Sequence, residues 1–261
     1  MPEFWRSASL PQLEARRSCR QVTCYRPHAH DRLSIGLIDS GTSVLTGASD
    51  RSVGLRPRDV IVIPAGHVHA CNPDNGRWEY QMIHADQNWL ASLLPQAATT
   101  LLECITVLRD EHLHRRLSAV TELVLSDAAR PQIEEALRNA LSECAAVQPW
   151  CRIGAETDAE LSWRLAPVLQ RLHEDASTPS LDDLAALAGM SRYQLIRSMK
   201  RATGLSPVAW RHNDRVNTAR ALLRQGRPVA EVAHALGFAD QSHFHRVFRA
   251  YVATTPGTYR A

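Results

Sequence analysis

The sequence predicts an α+β chain of two domains. An N-terminal β-barrel or jelly roll with a helical connector precedes an all-α domain that carries two helix-turn-helix units. Three observations lead there. Short apolar and β-branched runs, separated by Gly, Asn and Asp turns, crowd residues 18–84. From residue 95 apolar residues recur at helical spacing instead. Between residues 180 and 259 one helical pattern occurs twice. The expected domains are 1–92 for the barrel and its arm, 93–157 for the connector and dimerisation region, and 158–261 for the helical domain.

Taken in order, residues 1–17 read as an arm, with apolar Phe4 and Trp5 and with Arg16 and Arg17 at its end. Strands are expected at 22–25, 33–38, 43–46, 60–63 and 78–83, with turns at 39–41, 47–50 and 72–76. Val60, Ile61, Val62 and Ile63 run without alternation, which predicts a strand buried on both faces. In the connector, Leu101, Leu102, Ile105 and Leu108, then Leu113, Leu117, Val120 and Val124, form a helical stripe. Ile133, Leu137 and Leu141 form a second one. Such stripes are expected to pack on the barrel. Residues 156–160 read as a polar hinge, and 161–172 begins the helical domain.

The first copy of the repeat, SLDDLAALAGMSRYQLIRSMKRATG, spans 180–204, and the second, PVAEVAHALGFADQSHFHRVFRAYV, spans 228–252. Ser180 caps one helix, Gly189 supplies the positive φ that stops it, and Ser191 with Gln194 forms a capping box for the next. Gly237 and Asp240 repeat that punctuation. Short helix, Gly turn and basic helix make the pattern of a DNA reader. The outward positions are Arg192, Tyr193, Arg197 and Lys200 in the first copy, and Gln241, Ser242, His243, His245 and Arg246 in the second. These side-chain types bond base edges and phosphates, which makes double-stranded DNA the expected partner. Ile196, between them, suits either a thymine methyl or the core. A helix over 207–224, with Ser206 as cap and Pro207 in its first turn, separates the copies. Its length of roughly 27 Å approaches the ~34 Å between successive major-groove faces.

Charge follows the same division. Residues 180–261 hold twelve Arg and Lys against five Asp and Glu, a net +7 in a chain of total +3, which leaves the rest at −4. Only the helical part is therefore expected to meet polyanions. Six cysteines without a CxxC pair, and no signal peptide, predict reduced thiols in the cytosol, with Cys19 and Cys24 as the one candidate redox pair. No apolar run approaches the ~20 residues of a membrane span.

Residues 161–260 resemble the DNA-binding domain of AraC/XylS-family bacterial transcription regulators. The resemblance is most specific in ALGFADQSHFHRVFRAYVATTPGTYR, where Gly237, Phe238, Gln241, Phe244, Arg246, Phe248, Pro256, Tyr259 and Arg260 fall in the family's pattern. It implies two readers in consecutive major grooves, a homodimer, a contact with RNA polymerase and transcriptional activation. Upstream, His28-Ala29-His30 and Pro64-Ala65-Gly66-His67-Val68-His69 are similar to the two half-motifs of a cupin. In metal-binding cupins those positions, His28, His30 and His69, converge with a glutamate that follows the first motif. Here Arg32, Leu33, Ser34 and Ile35 occupy that stretch. The three histidines are read as effector-binding, with no metal and no cofactor assigned. A divalent ion held without the carboxylate, or plain packing at the barrel mouth, are the alternatives. Arg26 and Arg32 favour an anionic or zwitterionic effector, and the resemblance of the cupin portion to regulators of amino-acid export or metabolism implies an amino acid or small carboxylate. The rivals to an effector-controlled regulator are a metal-dependent cupin enzyme fused to a DNA-binding domain and a regulator without effector.

Overall fold

The strands of the N-terminal part are two-faced, and what each face carries decides what covers it. The computed structural model describes residues 3–6, 10–20, 25–48, 51–74, 76–94, 96–154, 158–175 and 177–260. Two compact units divide the chain. One holds Met1–Cys24 and Ala29–Ala155, the other Tyr25–His28 and Glu156–Ala261.

In the first unit the strands are β1 Glu3–Arg6, β2 Leu13–Arg20, β3 Leu33–Ser40, β4 Ser43–Gly47, β5 Ser52–Leu55, β6 Asp59–Ile63, β7 His69–Pro73, β8 Trp78–Ala85, β9 Ile105–Arg109 and β10 Cys151–Ile153. Seven of them form an antiparallel sheet in the order β1-β2-β8-β3-β6-β9-β10, and three form a second sheet, β5-β4-β7. Helices α1 Gln87–Leu93, α2 Glu111–Leu125 and α3 Arg130–Ala146, with a 3-10 helix at Gln96–Leu102, complete the unit. Leu13, Ala15, Leu33, Ile35, Leu37, Val60, Val62, Ile83 and Ala85 face α2 and α3. They form one core with Leu113, Leu117, Val120, Val124, Ile133, Leu137 and Leu141. Burying those side chains from both layers is the main stabilising term of the unit.

Three expectations need correction. The arm at 1–17 is instead the β1-β2 hairpin, with Leu13 opposite Ala85 and Ala15 opposite Ile83. Glu14 and Arg16 point to the face away from the helices and are buried. Residues 95–150 do not lose their strands either. Ile105 and Leu108, assigned to a helical stripe, lie on β9, where Val60 pairs with Leu108 and Val62 with Thr106. The local sequence ITVLR is rich in β-branched residues, and sheet pairing outweighs the helical spacing around it. Strands β5 and β7 went unread because the Gly and Pro within them mark turns as readily as strands. Residues 22–24 of the expected first strand, Asp50, Asn75, residues 156–157 of the hinge and Cys24 lie outside the described residues. β6 is buried along its whole length, as its continuous apolar run predicts.

The second unit contains α4 Ala159–Glu174, α5 Leu181–Leu187, α6 Arg192–Thr203, α7 Pro207–Arg224, α8 Val229–Ala235, α9 Gln241–Val252 and α10 Pro256–Arg260. Leu161, Leu165, Val168 and Leu172 of α4 form a core with Leu184, Leu195 and Met199. A second core centres on Phe244, Phe248 and Tyr259. No described helix is long and apolar enough to cross a membrane.

The turn from β3 to β4 depends on Gly41, whose φ is +74°, and a Cβ there would lie 2.4 Å from the Arg77 carbonyl oxygen. Gly41→Ala is therefore expected to cost about 2–4 kcal/mol of folding stability, read from urea unfolding. A loss below about 0.5 kcal/mol would show that the turn relaxes freely.

Candidate functional site

The second unit presents two matched helix pairs on one long helix. Ser180 accepts a hydrogen bond from the Asp183 amide, Ser191 and Gln194 close the expected capping box, and Asp240 accepts from the His243 amide at 2.6 Å. Gly189 and Gly237 both adopt positive φ, +61° and +65°, at equivalent turns. Each basic helix thus starts from a fixed backbone geometry. Leu195 and Met199 anchor α6 inward, and Phe244 and Phe248 anchor α9.

On α6 the candidate contacts Arg192, Tyr193, Arg197 and Lys200 are exposed. The Arg197 guanidinium lies 5.9 Å from the centre of the Tyr193 ring. Arg192 pairs with Asp182 on α5, which raises the Arg192 pKa and lowers that of Asp182. A phosphate contact by Arg192 would have to displace that carboxylate. Ile196 is half-buried. On α9, Gln241, Ser242 and Arg246 are exposed, whereas His243 and His245 are half-buried. The His243 ring lies edge-on to Phe238 at 5.4 Å and to His212 at 6.3 Å. The exposed face of α9 is thus narrower than the helical wheel suggests.

Buried and half-buried arginines hold both pairs to α7. Arg211 donates to Thr178 Oγ1 at 2.6 Å, to the Asp175 carbonyl at 3.0 Å and to the Ser177 carbonyl, all in the loop before α5. Arg215, one turn on, donates to the Gly237 carbonyl at 3.3 Å in the turn before α9 and lies over the Phe238 ring. Arg220 and Arg224 donate to the Tyr259 hydroxyl of α10 at 3.2 and 3.1 Å. Burial pushes the Arg215 pKa down to about 10, so it stays charged at neutral pH. Sequence reading placed none of these four in a role. The signal is their position on a helix whose apolar residues are too few to fill both neighbours.

In the first unit the second sheet covers the face of the large sheet that the helices leave. A Cβ on Gly47 of β4 would meet Ile153 Cγ2 of β10 at 2.6 Å. Register carries that inner face across the sheet from Ile105 and Val107 through Ile61, Gly36 and Met82 to Arg16. One row further along, Glu14, His84 and Ser34 lie side by side. His69 pairs with Gly47 and so belongs to the same interior. His30 and His69 come together there, with ring centres 5.1 Å apart, and His30 lies 4.9 Å from His84. His28 belongs to the other unit, where its Nδ1 bonds the Arg26 carbonyl at 2.7 Å and its ring meets Tyr251 edge-on at 6.4 Å.

Ser34 stands in the stretch where a metal-binding cupin carries its glutamate, and its hydroxyl bonds His84 Nδ1 at 2.7 Å. The structure puts an imidazole beside that position instead of a carboxylate. His84 lies in neither motif, and only the register of β3 against β8 reveals it. His69 is 3% exposed, its Nδ1 faces the His67 carbonyl at 3.0 Å, and burial lowers its pKa to about 4. The resulting neutral imidazole donates from Nδ1 and keeps Nε2 as an acceptor.

Comparison with known proteins matches both halves. Residues 10–141 fit the family model of the AraC-like ligand binding domain, and residues 184–261 that of a helix-turn-helix domain. An uncharacterized HTH-type transcriptional regulator, YbfI of Bacillus subtilis, is 27% identical over 230 residues, covering 83% of this chain and 80% of its own. The arabinose operon regulatory protein of Salmonella typhimurium is 25% identical over 248 residues, 90% of this chain and 86% of its own. Among solved structures, ToxT from Vibrio cholerae O395 superposes with a TM-score of 0.56 at 14% identity, over 95% of this chain and 97% of that one.

The His69 pKa gives a pH dependence of definite sign. The folded value of about 4 lies below the unfolded 6.5, so the unfolded chain binds the proton more readily. This contribution is complete above pH 6.5 and is lost as pH falls toward 4, by about 3 kcal/mol. His69→Gln should flatten that part of the stability profile in urea titrations at stepped pH. An unchanged slope would mean that His69 titrates normally in the folded protein.

Proposed function

The chain belongs to the AraC family of transcription regulators, a DNA-binding regulator with an N-terminal ligand-binding domain, and from that premise we propose how its residues divide the work. Arg197 and Arg246 read base edges, one from each helix pair, because both are exposed on helices whose inner sides are anchored. Tyr193, Lys200, Gln241 and Ser242 add base or phosphate contacts beside them. His243 and His245 contribute chiefly by packing, as their half-buried rings indicate. Arg192 reaches phosphate only by exchanging Asp182 for it.

The observation that carries this reading is the arginine-stapled α7, which ties two independently capped readers into one unit. A small molecule bound in the first unit at His30 and His69 then changes how the readers are presented. It must bind one arrangement of the protein better than another, since equal affinity for both shifts nothing. We assign the chain no catalytic activity. We further propose a cytoplasmic homodimer that activates transcription through RNA polymerase. A two-fold assembly of this kind would match a repeated operator.

Arg197→Ala and Arg246→Ala are each expected to weaken operator binding by about 1–3 kcal/mol and to relax base preference at one position. Binding titrations against a footprinted operator and against scrambled sequence check this. Equal losses on both DNAs, with a smaller salt slope, would identify phosphate contacts. Unchanged affinity in both variants would remove α6 and α9 from the interface.

A further inference from the structure

We propose that Asp182 and Asp158 are specificity-determining residues of the first reader, each masking one arginine of α6 from the DNA backbone so that both readers offer phosphate the same number of cations. This rests on the reading of α6 and α9 given above and adds what restrains them.

The two copies differ in charge where they match in fold. Aligning α6 with α9 by their capping residues, Ser191 on Asp240, sets Arg197 on Arg246 and Lys200 on Arg249. The same alignment sets Arg192 on Gln241 and Arg201 on Ala250, so the first copy carries two additional cations. Those two arginines are the ones that hold carboxylates. Arg192 Nε and Nη2 donate to the two oxygens of Asp182 on α5. Arg201 Nη2 lies 2.6 Å from Oδ2 of Asp158, the residue that caps α4. Asp182 falls on Ala230 when the copies are aligned by Gly189 and Gly237, so the second copy has no acid at that place. Among the described residues, none of Arg197, Lys200, Arg246 and Arg249 is in an ion pair.

The four paired side chains are between 42% and 63% exposed. Surface ion pairs contribute little to stability, because water screens them and ordering two long side chains costs entropy. What such a pair does change is the response to a polyanion. A phosphate that takes the arginine must first break the pair, so the gain from counterion release is offset by the lost carboxylate. Hydrogen bonds from Arg192 hold the Asp182 carboxyl below its ordinary range, so this mask stays charged at neutral pH. Binding to unrelated sequence consists almost wholly of phosphate contacts, whereas an operator adds the base contacts proposed for Arg197 and Arg246. A complex on unrelated sequence can shift until a freed guanidinium meets phosphate, but base contacts fix the register on the operator. Masking therefore lowers affinity for unrelated DNA more than for the operator.

Asp182→Asn and Asp158→Asn test this in the full chain, with Asp183→Asn as control. Asparagine keeps the Asp158 oxygen that accepts from the Leu161 amide at 2.9 Å, so α4 stays capped. Removing Asp183 changes the net charge equally, but its carboxylate bonds Ser180 rather than an arginine. Affinities for a footprinted operator and a scrambled duplex are titrated between about 50 and 200 mM salt. Each masking variant should bind the scrambled duplex at least about threefold more tightly at the lower salt, with a salt slope steeper by about one. The operator should gain less, and Asp183→Asn should leave the slope unchanged. Unchanged scrambled-duplex affinity in both masking variants, an equal gain on both duplexes, or the same gain from Asp183→Asn would overturn the assignment. So would weaker binding with lowered stability in urea, which would make the pairs struts for α6. Arg197→Ala scored on the same duplexes tests α6 as a reader, so the two failures remain distinct.

Discussion

The second unit depends on one constraint, the fixing of α7 to what precedes and follows it. Arg211 grips the loop before α5 through two carbonyls and a hydroxyl, and Arg215 grips the turn before α9. They are neighbours on one face of the helix, four residues apart, so a single turn of α7 anchors both readers. Hydrogen bonds to backbone carbonyls are directional, and those to a guanidinium are among the stronger ones. An apolar contact of equal area would hold the same elements with more freedom to slide. The spacing between α6 and α9 is thus written into bonds that break if either helix pair rotates.

The first unit solves a different problem with the same residue types. Its helix-facing side is apolar and continuous, which gives the domain its stability. Its inner side carries Glu14, Arg16, Ser34, His69 and His84, all buried. Polar groups inside a small domain are costly unless each finds partners. Concentrating them on one face leaves the folding core untouched while creating a chemically specific interior. Stability and recognition are in this way assigned to opposite sides of the same strands.

What could be read from the sequence was mainly what local chemistry decides. Ser180, Ser191 and Asp240 cap their helices because a side-chain oxygen satisfies an amide three residues on, and Gly189 and Gly237 turn because only they tolerate the backbone required. The strand β6 declared itself through an uninterrupted apolar run. Pairings between distant segments were hidden. β2 looked like an arm because its inward residues are ionic, and β9 was absorbed into a helical stripe because Ile105 and Leu108, three apart, fit the helical period although the strand turns them to opposite faces. His30 and His69 stood in motifs, whereas His84 acquires meaning only from its place opposite Ser34. Likewise Arg211 and Arg215 resembled ordinary basic residues of a DNA-binding domain until their acceptors were known.

If α7 sets a fixed distance and phase between the two readers, the affinity of the full chain will depend on base pairs inserted between the α6 and α9 contact sites of a footprinted operator. Insertion of about five base pairs, half a turn, should weaken binding at least about tenfold, and insertion of about ten should not restore it, because a rigid rod cannot lengthen by a full turn. Undiminished affinity for both operators would contradict the claim and make α7 a tether.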